Sequence, residues 1–295
     1  MTRAVFDLRT PVVWNASLRQ SIWALLPLGT RPMVETWIEQ ACANGCREFL
    51  VVPKAEELAT LSRTLGDGSR WGCRIDVREK LLEADQYRSA CGPAGERPLS
   101  RGVLWMNEPC LLSEDLIRQP IDSLHDYFRV NLDLSAGVHS LPVAPGYEGL
   151  TASAEGESVG LEPILAPSAR FHSPLMLGDH VRVNGFAELG PNAVIGNHVV
   201  VGRGSRVVNS LILDDTYIGA GLNVDGRIVD GRRLIDPRDG LAIELDDLLL
   251  ADLQTNRSPV SDLFAGVRRW FAPGAKKSER KEASPAEMFS TRRAS

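Results

Sequence analysis

Two architectures in tandem are predicted for this chain: an α/β domain with a parallel sheet, then a solenoid of short parallel strands. The first prediction rests on a helix, a glycine turn and an apolar strand within Leu25–Val52. The second rests on a six-residue beat between Leu165 and Val224. A Pro/Gly-bearing stretch, LPVAPGYEGLTASAEGESVG, joins them. A length of 295 residues suffices for both.

In the first segment, LLPLGTRPMVETWIEQACANGCREFLVV, a turn at Pro27–Arg31 leads to Pro32, whose fixed φ suits a helix start. Met33, Trp37, Ile38, Ala41 and Cys42 keep helical spacing, Asn44–Gly45 supplies the C-cap, and Phe49–Val52 is an apolar strand. Cys42 and Cys46 lie one helical turn apart and read as a core-facing pair. With Cys73, Cys91 and Cys110 they make an odd set without zinc spacing, so the thiols are expected reduced and the chain cytoplasmic. The opening MTRAVFDLRTPVVW lacks the apolar core of a signal peptide, and no apolar run is long enough to span a bilayer.

In the second segment Leu165, Phe171, Leu177, Val183, Leu189, Ile195, Val201 and Val207 recur at the same slot, followed by glycine at Gly178, Gly190, Gly196 and Gly202. Neither the helical period nor the strand period produces this. A strand that drops one aliphatic side chain inward and then turns a corner does. The beat resumes one residue early at Ile212, Ile218 and Val224, so one hexad is short. Gly231–Leu250, with turn signals at Asp236-Pro237 and Asp239-Gly240, reads as an irregular coil or hairpin capping the solenoid.

These hexads resemble the hexapeptide-repeat, left-handed parallel β-helix family, and the resemblance implies about four coils. The N-terminal part resembles the sugar-1-phosphate nucleotidyltransferases, such as the mannose-1-phosphate guanylyltransferases. Leu26–Pro32 matches that family's P-x-G-x-x-P turn, and Gly45–Val52 its G-[IV]-x-E-[IV]-x-[IV]-[IV] strand. Gly102–Leu112 is similar to the strand that ends in the family's N-G-D metal-binding turn, and Ile121–Leu134 to the helix that closes its catalytic domain. The resemblance spans about residues 20–250 and implies a shortened nucleotidyltransferase-like domain over residues 1–145, a linker over 146–160 and a left-handed β-helix with its cap over 161–250.

The departures from that family fall on its chemistry. Its glycine-rich loop, G-G-x-G-T-R-L, converges backbone N–H groups on a triphosphate. Here AVFDLRTPVVWNASLRQSIWA stands before Leu25 without a glycine, and Gly29-Thr30-Arg31 falls in the later turn. Asn107-Glu108-Pro109 replaces the metal turn, leaving Glu108 as the candidate Mg²⁺ ligand and catalytic carboxylate. Val52 to Ile121 spans about 70 residues where the family carries well over a hundred, and its G-T-A-G and E-K-P motifs have no counterpart. The implied reading is a catalytically degenerate homologue, with no cofactor expected, acting as a scaffold, regulatory or binding subunit in bacterial polysaccharide or envelope biosynthesis.

The alternative is an active transferase. It would be either a Mg²⁺-dependent nucleotidyltransferase using Glu108, or an acyltransferase whose base is His180 or His198, one coil apart. His125, His139 and His172 carry no comparable pattern. Nucleic-acid binding is not expected, because nine Lys/Arg against four acids from Arg257 onward give the tail +5 and leave −10 of the net −5 on an acidic body. Within the tail, 251–295, the segment 258–271 places Val260, Leu263, Phe264, Val267, Trp270 and Phe271 on one helical face with Arg268 and Arg269 at its flank. That helix suits a membrane surface at the inner face, a protein partner or the chain's own body. A homo-oligomer is expected, and the residues after 271 read as disordered.

Overall fold

The computed structural model describes residues 3–79, 99–100, 103–139, 141, 152–153, 157–245 and 249–252. The N-terminal strands are β1 (Arg3–Asp7), β2 (Glu48–Val52), β3 (Arg74–Val77), β4 (Leu99–Ser100) and β5 (Val103–Met106). Among the described residues they form one sheet in the order β3-β2-β1-β5-β4, parallel except for the β4–β5 pair.

Helix α1 (Met33–Ala43) starts directly after Pro32 and ends at Asn44, beyond which Gly45 takes φ 83°. Its Met33, Val34, Trp37, Ile38 and Ala41 are fully buried, the apolar stripe expected from their spacing. Cys46 is buried while Cys42 is only half-buried. Helix α2 (Leu58–Leu65) turns Leu61 and Leu65 inward. Helix α3 (Leu124–Ser135) is capped by Ser123, whose hydroxyl oxygen accepts from the Asp126 N–H at 3.0 Å and whose O–H donates to the Asp126 carboxylate at 2.6 Å. This helix grips the Pro27–Leu28/Arg31–Pro32 ribbon. Tyr127 donates to the Pro27 carbonyl at 2.8 Å, and the buried Asn131 accepts from the Gly29 N–H at 2.7 Å.

From residue 157 the chain visits three sheets in rotation, an architecture compatible with a β-helix. The first face holds Glu157–Val159, Leu175–Leu177, Ala193–Ile195, Ser210–Ile212 and Ile228–Asp230; the second Ile164–Leu165, Arg182–Val183, Val200–Val201 and Thr216–Ile218. The third holds Arg170–Phe171, Glu188–Leu189, Arg206–Val208 and Asn223–Asp225. Each strand pairs in parallel with its counterpart a coil later, so that Phe171, Leu189, Val207 and Val224 stack in one register.

The short hexad lies at the corner around Asn209. Leu189 pairs with Val207, 18 positions on, but Ala193 pairs with Ser210, 17 on, so the missing residue is absorbed in a turn and no strand slips register. The near end of the coil differs from the sequence reading. Glu157–Val159, assigned to the linker, pairs with Leu175–Leu177; one apolar residue in three gave no alternation to read. At the far end Arg233–Ile235, Ala242–Glu244 and Leu250–Asp252 add antiparallel to the coil, as a cap should.

The glycines after the aliphatic slot serve close approach. A Cβ on Gly178 would fall 2.6 Å from Asn197 Oδ1, and one on Gly196 would overlap Asp214 Oδ1. Those side chains fold over the glycines because Asn197 accepts from the Asp179 N–H at 2.9 Å and Asp214 from the Asn197 N–H at 2.7 Å, a ladder that caps each corner with the next coil's side chain.

Outward residues of the first face are apolar from Met176 onward. Val194, Leu211 and Ile228 are buried at 1% exposure or less and join the same core as α1, α3 and the residues after β1. Asn197 Nδ2 donates to the Thr30 carbonyl at 2.9 Å across this junction. No helix among the described residues is long and apolar enough to cross a membrane.

Candidate functional site

In open α/β sheets ligands bind outside the carboxyl ends of the strands, so that edge is the place to look. Here β1 ends at Asp7, whose fully buried carboxylate takes both Arg9 Nε and Nη2, at 2.8 and 2.9 Å. The segment that follows, in the position of a phosphate loop, folds as short turns at Trp14–Ser17 and Trp23–Leu25. It buries Leu8, Leu18, Ile22, Trp23, Ala24 and Leu26.

Several of its backbone donors are spent within the segment, and the Arg19 N–H goes to the Asp230 carboxylate at 2.6 Å. The N–H groups of Ala16, Leu18, Leu25 and Leu26 go to Val13, Asn15, Ile22 and Trp23 carbonyls, so they do not converge outward on an anion. Its polar side chains are anchored as well. Trp23 donates to Thr10 at 3.2 Å, and Trp14 donates to Ile121 at 3.1 Å while stacking on Tyr127. Arg19 reaches into the coiled sheets, pairing with the Asp230 carboxylate at 2.6 Å and donating to the Asp214 carbonyl at 2.9 Å. Arg233 answers with a bond to Ser17 O at 3.1 Å.

Glu108 sits in the turn after β5, with its side chain 37% exposed. Its Oε1 lies 3.3 Å from Nη1 of Arg118, a guanidinium only 3% exposed on the hairpin strand Arg118–Pro120. A cationic side chain thus already stands beside the one carboxylate this turn offers. Burial pushes the neighbouring Cys110 thiol well up. Among the described residues no group of three or more His, Cys, Asp and Glu gathers where a metal ion could be held.

His180 and His198 stack at one corner with ring centroids 5.5 Å apart and planes 4° from parallel. Glu162, His180, His198 and Asp215 occupy equivalent corner positions, all with φ between 49° and 56°, so the pair is flanked by a carboxylate at each end. His180 Nδ1 lies 3.6 Å from Glu162 and His198 Nδ1 3.4 Å from Asp215. The Asp215 hydrogen bond raises the His198 pKa above its ordinary value, against the opposing effect of partial burial. An imidazole whose Nδ1 is held by a carboxylate has the layout of a general base. His125 and His172 are exposed.

The structure therefore does not bring Glu108 and the histidines into one described constellation. Each has its own acidic or basic neighbour. Sequence reasoning missed both carboxylates flanking the His pair, although Glu162 and Asp215 fall at coil spacing from it. It also missed the outward column Met176, Val194, Leu211 and Ile228, whose signal was an apolar residue at every third hexad's outward position. Val260, Leu263, Phe264, Val267, Arg268, Arg269, Trp270 and Phe271 lie outside the described residues.

No protein-family model matches the chain. Over 66 residues it is 36% identical to a glucose-1-phosphate thymidylyltransferase from Actinoplanes sp., a match covering 22% of this chain and 20% of that protein. The chain thus spans about a fifth of the length of the curated relative it matches. The match supports a nucleotidyltransferase-like relationship over part of the chain.

Proposed function

We propose that this chain is a sugar-nucleotidyltransferase relative that has lost its chemistry: an α/β domain on a left-handed β-helix, serving as a scaffold, regulatory or binding subunit in bacterial polysaccharide or envelope biosynthesis. The observation that carries this reading is the segment after β1. Where a phosphate loop would present N–H groups, side chains such as Leu18, Ile22 and Trp23 fill the core, and the N–H groups of Ala16, Leu18, Leu25 and Leu26 bond within the segment. The pairing of Glu108 with Arg118 supports it, because a guanidinium there opposes a divalent cation. A cytoplasmic homo-oligomer without a resident cofactor belongs to the same proposal.

The test is a thermal-shift panel of nucleoside triphosphates with and without Mg²⁺, nucleotide sugars, sugar phosphates and acetyl-CoA. A ligand at ~100 times its dissociation constant adds about 2.7 kcal/mol, readily seen as a raised melting temperature. No shift with any triphosphate is expected. A Mg²⁺-dependent shift that Glu108→Gln abolishes would sink the reading. The second reading, an acyltransferase, is favoured by the Asp215-held imidazole of His198; it requires acetyl-CoA consumption that disappears in His198→Asn.

A further inference from the structure

The cap at the far end of the coil finishes in an open edge of its own. Among the described residues Ala242–Glu244 is the last strand of the first face, with Arg233–Ile235 on one side and no strand on the other. Ile195, Ile212, Val229, Leu234 and Ile243 are successive partners along that face and make up its inward row. The first three are fully buried, whereas Ile243 is 53% exposed and Leu241, on the same side of the strand, 61%. Leu245 completes that side and packs, partly buried, on the coil core. The interior of the coil thus runs out at an edge that presents Leu241 and Ile243 to solvent.

The backbone of this edge is open as well. The Leu245 N–H donates to the Arg232 carbonyl and the Asp236 N–H to the Leu241 carbonyl, both at 2.9 Å. By the alternation of an antiparallel ladder, residues 241, 243 and 245 turn their backbone groups towards Arg233–Ile235, and Ala242 and Glu244 turn theirs to the open side. Protein edges are commonly blunted by proline, lysine or a bulge, and Leu241–Leu245, LAIEL, carries neither residue and pairs in unbroken register. The far edge of the third face is of the guarded kind: Asn223 and Asp225 are exposed there and Val224 is buried.

The pattern is self-complementary, and that selects the occupant. When two copies pair antiparallel about a twofold axis at Ile243, Ala242 exchanges both backbone bonds with Glu244 of the second copy, and Glu244 with its Ala242. Ile243 then faces its own counterpart in the close, non-hydrogen-bonded position, and Leu241 faces Leu245 of the second copy. On the other side of the strand Glu244 meets an alanine, so like charges are not set opposite each other. Each Glu244 carboxylate also keeps Arg233 of its own chain at 3.7 Å.

We propose that the strand Ala242–Glu244 is a homodimer interface, at which two copies join edge strand to edge strand and the first face runs on from one coil into the other. The proposal deepens the homo-oligomer part of the function proposed above by naming its surface. It is independent of whether the α/β domain binds a nucleotide.

Sedimentation velocity and a cross-linking pair test it on the full chain. A dimer is expected at about 10–100 µM. Ala242→Pro removes an open-side N–H while leaving the bonds to Arg233–Ile235 in place, and Ile243→Lys sets a charge at the centre of the pair. Each should raise the dissociation constant on the order of tenfold or more, with the near-ultraviolet circular dichroism of the parent chain retained. Treated with glutathione disulfide, Ile243→Cys should cross-link to its own counterpart, whereas Leu241→Cys, which faces a leucine, should stay at the parent chain's background. A chain that is monomeric at about 100 µM would overturn the interface and the homo-oligomer reading together. A dimer that both Ala242→Pro and Ile243→Lys leave intact would overturn the interface alone. Cross-linking by Leu241→Cys but not by Ile243→Cys would overturn the twofold pairing.

Discussion

The parallel sheet and the coiled sheets hide their strands by different rules. In the parallel sheet both faces are apolar. Ala4 and Phe6 of β1 enter the main core, while Val5 joins Trp105 on the opposite side. Partners come from distant, aperiodic sequence, including helices and the turns after β1. In the coil each strand sends aliphatic residues inward onto the next coil, and outward positions are free to be Arg170, Glu188 or Arg206. The coil breaks its own rule as a continuous apolar column on the face where the two regions meet. An apolar residue in a position that its local repeat leaves polar marks a contact made elsewhere.

The sharpest way to break that comparison is Leu211→Asp, which puts an uncompensated charge into the shared core. It should cost more than about 3 kcal/mol, read as a lower urea midpoint for probes in both regions. A transition confined to the coil would mean the two cores are energetically separate. Trp23→Ala tests whether the segment after β1 belongs to the core; at 2% exposure it should lose about 3–5 kcal/mol. A loss below about 1 kcal/mol would return that segment to the status of a loop free for binding.

Within the coil, Gly178→Ala should cost about 1–3 kcal/mol, because the new Cβ meets the Asn197 side chain and the Gly196–Asn197 backbone of the next coil. A neutral result would show that the ladder yields without loss. The pH profile is a finer probe. The folded-state pKa of His198 is raised, so its stabilisation is complete below the ordinary histidine value and fades as pH rises through the raised one. Urea midpoints from about pH 5 to 8 should carry that component in the parent chain and lose it in His198→Asn. At the small end, Glu188→Ala removes ion pairs to Arg170 and Arg206 on the open third face and should change stability by under about 0.5 kcal/mol. A larger effect would make that face a contact surface too.

What could be read beforehand followed from period and local chemistry. The aliphatic slots from Leu177 to Val224 are legible because each inward side chain recurs at a fixed interval, and the short hexad is legible for the same reason. Helix α1 and β2 were announced by Pro32, the apolar stripe and Asn44–Gly45. The turns at Trp14–Ser17 and Trp23–Leu25 were not, because their residues are held by single long-range bonds such as Trp14 to Ile121. Glu108 was visible as a carboxylate in a turn, but its partner Arg118 becomes adjacent only when the chain doubles back as a hairpin. The His180–His198 stack followed from coil spacing, and Glu162 and Asp215 extend the same corner column before and after it.

The shared core also limits how such a chain can be rebuilt. A gene segment exchanges freely when its product closes its own surface, and the coil does not. Separated from the α/β region, it would carry Val194, Leu211, Leu213 and Ile228 to solvent as one contiguous stripe. The α/β region would lose one wall of its interior. A cut between the α/β region and the coil therefore divides one folding unit. Grafts of this coil onto another head should need that stripe rewritten as polar before they dissolve.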